Sequence, residues 1–278
     1  MTDASDFDVS EALSAVEANT PLVNALTNEV TVNDVANVTL HWGGLPVMSD
    51  DTREVADMVE SADGCLLNMG TVSERGETAM LTAGRAANER DVPVVVDPVG
   101  VGATPTRSAV AARLVTELDA AVVNGNHAEI SALAGEDAEV RGVESVGEYA
   151  GIAETAVSCA RRTGAVVVAS GETDVVADAE AAYEVDVGHP MMGTVVGTGC
   201  MLGATLAVFA AALEDSLSAA LAGTAAYGLA GERAAAGEYG DYEGPASYKV
   251  AFLDAVAGMD AGDDLDADLS ERIREVSA

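Results

Sequence analysis

The sequence predicts an α/β fold with a mostly parallel central sheet flanked by helices. Short β-branched runs alternate with longer Ala-rich segments along most of the chain, the rhythm of βαβ units. Within the Ala-rich segments apolar residues recur at roughly 3.6-residue spacing, as on an amphipathic helix. Of the 278 residues, 49% are hydrophobic and 22% charged, which is enough apolar surface to offset chain entropy around one large core. A single domain over 1–278 is therefore expected.

An early strand is expected near Trp42 and Met48, residues whose ordinary fate is burial. Asp51 to Ser61 then reads as a helix, followed by the strand run Cys65 to Leu67 and a helix over Glu74 to Arg90. Val94 to Val96 and Ala121 to Val123 are strands separated by a helix over Thr106 to Leu118, and Val146 to Thr163 is a helix leading into the strand Val166 to Val168. This order places parallel strands under helices on both faces. Asp174 to Ala177 and Ala182 to Val187, separated by Asp178, Ala179 and Glu180, form a hairpin added to the sheet. After Gly188 the chain turns helical, over Met201 to Leu213, Ser216 to Ala236 and Ser247 to Ala257. The acidic stretch Asp260 to Asp268 is expected to lead into one last short helix.

Charge excludes several functions. There are 47 Asp and Glu against 13 Lys and Arg, a formal charge of −34, so nucleic acid and anionic membrane are poor partners. Lys249 is the single lysine, which removes the Walker A motif and leaves one poor candidate for Schiff-base chemistry. Acidity spread along the whole chain suits a protein kept soluble in high salt, where cations screen its self-repulsion; a halophilic cytoplasm is the expected setting. No basic N-terminus precedes an apolar stretch, and no apolar run is long enough to span a membrane. Cys65, Cys159 and Cys200 are odd in number and far apart, which argues against a disulfide framework.

Ligands of parallel α/β sheets bind beyond the carboxyl ends of the strands, so the strand ends carry the candidates. Val94-Val95-Val96 ends in Asp97-Pro98-Val99-Gly100-Val101-Gly102-Ala103-Thr104. Asp97 either begins a turn before Pro98 or offers a carboxylate to a ligand. The next strand ends in Asn124-Gly125-Asn126-His127-Ala128-Glu129, where Asn126 and Glu129 have the spacing of a capping box. Together Asp97 and Glu129 could instead hold Mg²⁺ through water and substrate phosphates. Gly197-Thr198-Gly199-Cys200 opens a helix whose free N–H groups suit a phosphoryl group. On that first turn the helix dipole is expected to lower the Cys200 thiol pKa, whereas a small buried residue is the plainer reading. Cys65 and Cys159 read as core. The spacing of Gly197, Gly199 and Gly203 lacks the strand and acidic residue of a dinucleotide fingerprint. His41, His127 and His189 lack ligand-spaced partners and read as surface or loop residues.

These motifs, taken together, resemble the hydroxyethylthiazole kinases of the ribokinase-like group. The resemblance rests on Pro21-Leu22-Val23, Leu26-Thr27-Asn28, Pro46-Val47-Met48, Asn68-Met69-Gly70-Thr71, the Asp97 to Thr104 loop, Gly125-Asn126-x-x-Glu129-Ile130 and Gly197-Thr198-Gly199-Cys200, which follow the family's order over nearly the whole chain. It implies a ribokinase-like three-layer sandwich that phosphorylates 5-(2-hydroxyethyl)-4-methylthiazole with ATP and Mg²⁺ in thiamine salvage. By the same resemblance Cys200 is the catalytic residue, Met48, Gly197 and Asn28 contact the thiazole, Asn124 and Ser170 stand at nucleotide contacts, and Asp97 and Glu129 organise the metal. A homotrimer with sites between subunits is implied as well.

Several positions depart from the family pattern. Asn124 stands where most members carry Arg, Ser170 where they carry Thr, Asn24 in place of a common His, and Gly193-Thr194-Val195-Val196 in place of Thr-Lys-Val-Thr. An Arg and a Lys near the phosphates are thereby absent, and cations bound in high salt are expected to supply part of that charge. Two other readings stay open: a related kinase for hydroxymethylpyrimidine or a sugar, and a non-catalytic binder of thiazole or nucleotide.

Overall fold

The computed structural model describes residues 8–135, 140–141, 144–145, 151–262, 265, 269 and 271–277. The β-branched runs become strands of one sheet: β1 (Leu22–Leu26), β2 (Leu45–Val47), β3 (Gly64–Asn68), β4 (Val94–Asp97), β5 (Val122–Asn126), then, after the two-residue strands β6 (Val140–Arg141) and β7 (Glu144–Ser145), β8 (Val166–Ser170), β9 (Asp174–Ala177), β10 (Ala182–Val185) and β11 (Ile273–Val276). Strands β6 and β7 pair only with each other; the other nine form the order β11-β10-β9-β8-β5-β4-β3-β1-β2. From β2 to β8 neighbours are parallel, and the β8–β9, β9–β10 and β10–β11 pairs are antiparallel. The expected hairpin is present.

Helices cover both faces. They are α1 (Val9–Asn19), α2 (Val32–His41), α3 (Val55–Val59), α4 (Glu74–Asn88), α5 (Pro105–Glu117), α6 (His127–Ala134), α7 (Ile152–Thr163), α8 (Thr198–Ala212), α9 (Ser216–Ala235) and α10 (Pro245–Ala257). Alternate strand residues feed two cores, as the two-residue period of a strand requires. Val95, Leu66 and Val122 pack with α1, α2, α8, α9 and α10, while Val94, Val96, Cys65 and Leu67 pack with α3, α4, α5 and α7. The three layers are thus helix, sheet, helix.

The helix starts are written in the sequence. Asp8, Ser73, Thr104 and Asp215 each accept a backbone N–H of their own first turn, the usual N-cap bond. Helix α8 is buried all round, ten of its fifteen residues being inaccessible, as befits a helix apolar on every side. It lies across β1, β3, β4 and β5. Trp42 anchors it from α2, donating from Nε1 to Thr205 Oγ1 at 2.8 Å and meeting Phe209 edge to face.

Some expectations change. The helix expected over Asp51 to Ser61 shrinks to α3, because the Asp51 carboxylate accepts the Arg53 N–H at 3.0 Å and ties the first residues into a turn. Val146 to Ala150 of another expected helix lie outside the described residues; α7 begins after Gly151, whose positive φ favours glycine. The short helix expected to follow Asp260 to Asp268 falls largely outside the described residues. Leu269 is helical, but beyond Arg272 the chain extends into β11, which adds to the sheet edge by pairing with β10. The N-terminal region contributes α1, β1, α2 and β2, more than the one strand expected there. Cys65 and Cys159 are core residues, as expected. The three histidines are half-buried, His41 and His127 on helices and His189 in a loop.

Candidate active site

The carboxyl ends of β3, β4, β5 and β8 lie side by side, and the pairing brings Asn68 opposite Asp97 and Asn126 opposite Ser170. Above them begins α8. Gly203 lets the helix come down onto the sheet: a Cβ there would stand 3.3 Å from Asp97 Oδ2 and 3.4 Å from Asn124 Nδ2. Gly197 caps the helix with φ +96°, and a Cβ on it would fall 2.5 Å from Thr31 Cγ2. A larger residue at 197 would therefore be strained both in its backbone and against Thr31.

The result is a cavity of about 300 Å³ lined by Asp97, Asn124, Glu129, Ser170, Gly197 and Cys200, among others. Six of the eight residues singled out from the sequence thus share one space. Asn28 adjoins it, donating to Cys200 Sγ at 3.4 Å, to Asn68 Oδ1 at 3.0 Å and to Thr31 Oγ1 at 2.8 Å. Met48 follows β2, is half-buried against the core, and does not line this cavity.

Two residues join the site that the sequence did not single out. Asn68, at the tip of β3, donates to Asp97 Oδ2 at 2.5 Å and accepts from Gly70 N and Asn28 Nδ2, so an amide chain runs from Asp97 through Asn68 and Asn28 to Cys200. Asn68 carries the same signal as Asp97, a polar residue ending a strand, and could have been found by it. Arg107 is the second: its guanidinium donates to the carbonyls of Met69, Val99 and Gly70. It props the Asp97 loop from below and lowers the Glu129 pKa by its charge.

Asp97 and Glu129 are 3% and 4% exposed. Burial pushes the Glu129 carboxyl up to about 7, against the backbone hydrogen bonds from Gly100 and Asn126. Those bonds, 2.6 Å to Oε1 and 2.8 Å to Oε2, occupy both oxygens, and the second belongs to a complete capping box with Asn126. The capping box expected of Asn126 and Glu129 is therefore present. Asp97 is pushed well above the carboxylate range by burial and then by the charge of Glu129, while its bond from Asn68 pulls the other way.

Cys200 overturns one expectation. Burial, helped by the charge of Asp97, pushes its thiol up to about 11, outweighing the hydrogen bonds from Asn68, Thr31 and Asn28. The thiol is neutral at physiological pH despite its place on the first helical turn. Asn124 lines the cavity and is tied to the start of α8. It is 1% exposed and its Nδ2 donates to the carbonyl of Gly199 at 3.2 Å.

Among the described residues, no cluster of three or more His, Cys, Asp or Glu side chains is placed to hold a metal. The oxygens present nonetheless suit a hard cation that keeps its waters and leans on substrate phosphates. Two buried carboxylates repel one another there, and Asn124 Oδ1 is buried with no hydrogen-bond partner among the described residues.

A mostly parallel sheet between two helical layers, with buried carboxylates beyond its strand ends under a glycine-rich helix start, is a ribokinase-like fold. A ribokinase-like superfamily protein from Enterococcus faecalis superimposes with a TM-score of 0.64 at 13% identity, over 94% of this chain and 99% of that one. At 31% identity, the structure of a hydroxyethylthiazole kinase protein from Pyrococcus horikoshii matches with a TM-score of 0.85 over 97% and 99% of the two chains. Residues 13–261 match the model of the hydroxyethylthiazole kinase family, and the chain belongs to that family. Among its relatives, a hydroxyethylthiazole kinase from Natronomonas pharaonis is 66% identical over 97% of both chains. One from Haloquadratum walsbyi is 62% identical over 96% of this chain and 93% of its own.

Proposed function

We propose that this chain transfers the terminal phosphoryl group of ATP to the hydroxyl of 5-(2-hydroxyethyl)-4-methylthiazole, a step of thiamine salvage. The observation that carries the reading is that Cys200, Asp97 and Glu129 line one cavity at the start of α8. A phosphoryl group passing through a loose transition state asks the protein mainly for position and charge stabilisation. The first N–H groups of a helix have no intrahelical partners and carry the positive end of its dipole, so the amides after Gly197 face the group in transit.

Cys200 steers the alcohol rather than removing its proton, since a thiol held near 11 is neutral at working pH. Asn28 holds the sulfur in place from one side. Gly197, Asn28 and, from beyond the cavity wall, Met48 take the thiazole; Ser170 and the surroundings of Asn124 take the nucleotide. Asp97 and Glu129 would hold Mg²⁺ through its waters, and the ion when bound would draw charge from the phosphate oxygens.

The exposed Val30 and Val196, 74% and 75% accessible, stand beside Asn28 and Gly197. Exposed apolar residues at a site rim favour a covering surface, which supports a site between subunits; light scattering of the purified protein reads whether the assembly is the implied homotrimer. The charge of −34 supports a high-salt cytoplasm. No helix among the described residues is long and apolar enough to cross a membrane.

A coupled assay for ADP in molar KCl, with the thiazole alcohol and with hydroxymethylpyrimidine as acceptors, tests the reaction. ADP formation only with the thiazole alcohol supports it. Formation only with the pyrimidine reassigns the acceptor. The missing cationic side chains at 124 and 194 favour a second reading, a non-catalytic binder, which is what remains if ligands bind and neither acceptor yields ADP.

A further inference from the structure

Two side-chain donors sit behind the first turn of α8, and neither belongs to that helix. Tyr227, buried on α9, donates its hydroxyl hydrogen to the carbonyl of Thr198 at 2.8 Å. Asn124, on β5, donates to the carbonyl of Gly199. Thr198 and Gly199 are the first two residues of the helix after its cap. Carbonyls inside a helix already accept from the N–H four residues on, so these additional donors are not needed to satisfy them. They fix direction instead.

A peptide unit is planar, with its C=O and N–H pointing opposite ways. The carbonyl of Thr198 shares a unit with the N–H of Gly199, and the carbonyl of Gly199 shares one with the N–H of Cys200. Holding both carbonyls from behind aims those two amides away from Tyr227 and Asn124 and toward the cavity that Gly199 and Cys200 line. The phenol is itself placed independently of α8, because its ring packs edge to face on Phe252 of α10, with centroids 5.0 Å apart at 87°. Donors that are aimed before the reaction need no reorganisation as charge develops, which is where such groups contribute most.

We propose that Tyr227 is a positioning residue for phosphoryl transfer: acting through the Thr198 carbonyl, and alongside Asn124, it orients the amides that meet the charge of the migrating group. The inference rests on the reaction proposed above. Tyr227→Phe removes one hydroxyl and keeps the ring. In molar KCl with the thiazole alcohol and ATP, kcat should fall about tenfold, the size of one lost hydrogen bond. KM for both substrates should stay within about twofold, because the bond matters to the transition state rather than to ground-state binding. Inhibition by ADP with aluminium fluoride, which imitates the planar phosphoryl group, should weaken by the same factor as kcat.

Leu217→Ala is the companion variant, since Leu217 is buried near the start of α9, ten residues before Tyr227 and outside the site, so that it loosens packing and leaves the phenol and its ring contact in place. It should lower the melting temperature while kcat stays within about twofold of wild type, as expected of a substitution that acts on packing. An unchanged kcat in Tyr227→Phe overturns the inference, and so does an equal loss of kcat and of aluminium fluoride inhibition in Leu217→Ala. A wild-type chain that yields no ADP overturns the proposed reaction together with this inference; an active wild type beside an unaffected Tyr227→Phe overturns this inference alone.

Discussion

Glu129→Gln separates the two things the Glu129 carboxyl does. In the folded chain burial raises its pKa from 4.5 to about 7. The folded state therefore keeps a proton that the unfolded chain has already released between those values. The stability tied to that proton is complete below pH 4.5 and is lost as the pH rises through about 7, and a displacement of this size corresponds to roughly 3 kcal/mol. Glutamine has no such proton, so its stability lacks that slope. It also accepts worse. Glu129 takes the Gly100 N–H on one oxygen and the Asn126 N–H on the other, and an amide can accept only one of them, at a cost of about 1–3 kcal/mol. At pH 8 relief of the buried charge offsets this loss and the two proteins should unfold within about 2 kcal/mol of each other. At pH 5 nothing offsets it and wild type should lead by about 1–3 kcal/mol. Urea unfolding in molar KCl with EDTA, at four pH values from 5 to 8, measures the difference. A gap between variant and wild type that stays constant across that range would refute the reasoning.

In the proposed reaction the thiol meets the reacting hydroxyl, so Cys200→Ala should lower kcat far more than it changes KM for the thiazole alcohol; an unchanged turnover number would remove Cys200 from the chemistry. Since that thiol is held up at about 11, iodoacetamide should modify it slowly at pH 7.5 in the free protein, and rapid modification followed by mass spectrometry would contradict the assignment. Gly197→Ala should lose roughly 2–4 kcal/mol in urea unfolding, combining the cost of a positive φ with the overlap on Thr31, and an unaltered midpoint would show that the cap relaxes. Asn68→Ala cuts the bonds to Asp97, Gly70 and Asn28 at once and should destabilise by about 2–4 kcal/mol, with little kinase activity left in the ADP assay.

Much of the central sheet could be read ahead of the structure because its signal is local. Val94 to Val96 and Val166 to Val168 are short, β-branched and bounded by turn residues, and they became β4 and β8 in the middle of the sheet. The N-terminal strands gave weaker signals. Strand β1 carries Asn24 in its centre, made tolerable by hydrogen bonds to the backbone of Ser49, a compensation visible only once β1 and the Ser49 segment are adjacent. Strand β2 is three residues long and contains Pro46, which suits only its place at the sheet edge. Strand β11 reads Ile273-Arg274-Glu275-Val276, which lacks the apolar–polar alternation of a half-buried strand, and its partner β10 lies far away in sequence. Nothing local announces such a partner, so this strand was not expected.

The site divides along the same line. Asp97, Glu129, Gly197 and Cys200 could be found because strand tips and helix starts are where backbone geometry leaves room and unpaired N–H groups. The ionisation of those residues could not, since it depends on what stands behind them. The dipole at a helix start acts within one turn and is worth a few tenths to about 2 kcal/mol, and from sequence it could be set against burial but not weighed against it. Its opponents are the enclosing walls and the Asp97 carboxylate, both supplied by strands distant in the chain, and together they outweigh the dipole. The chemistry reflects this outcome. A site whose thiol resists ionisation gains little by removing a proton early, and is suited to a reaction in which the phosphoryl group is already in flight when the proton leaves.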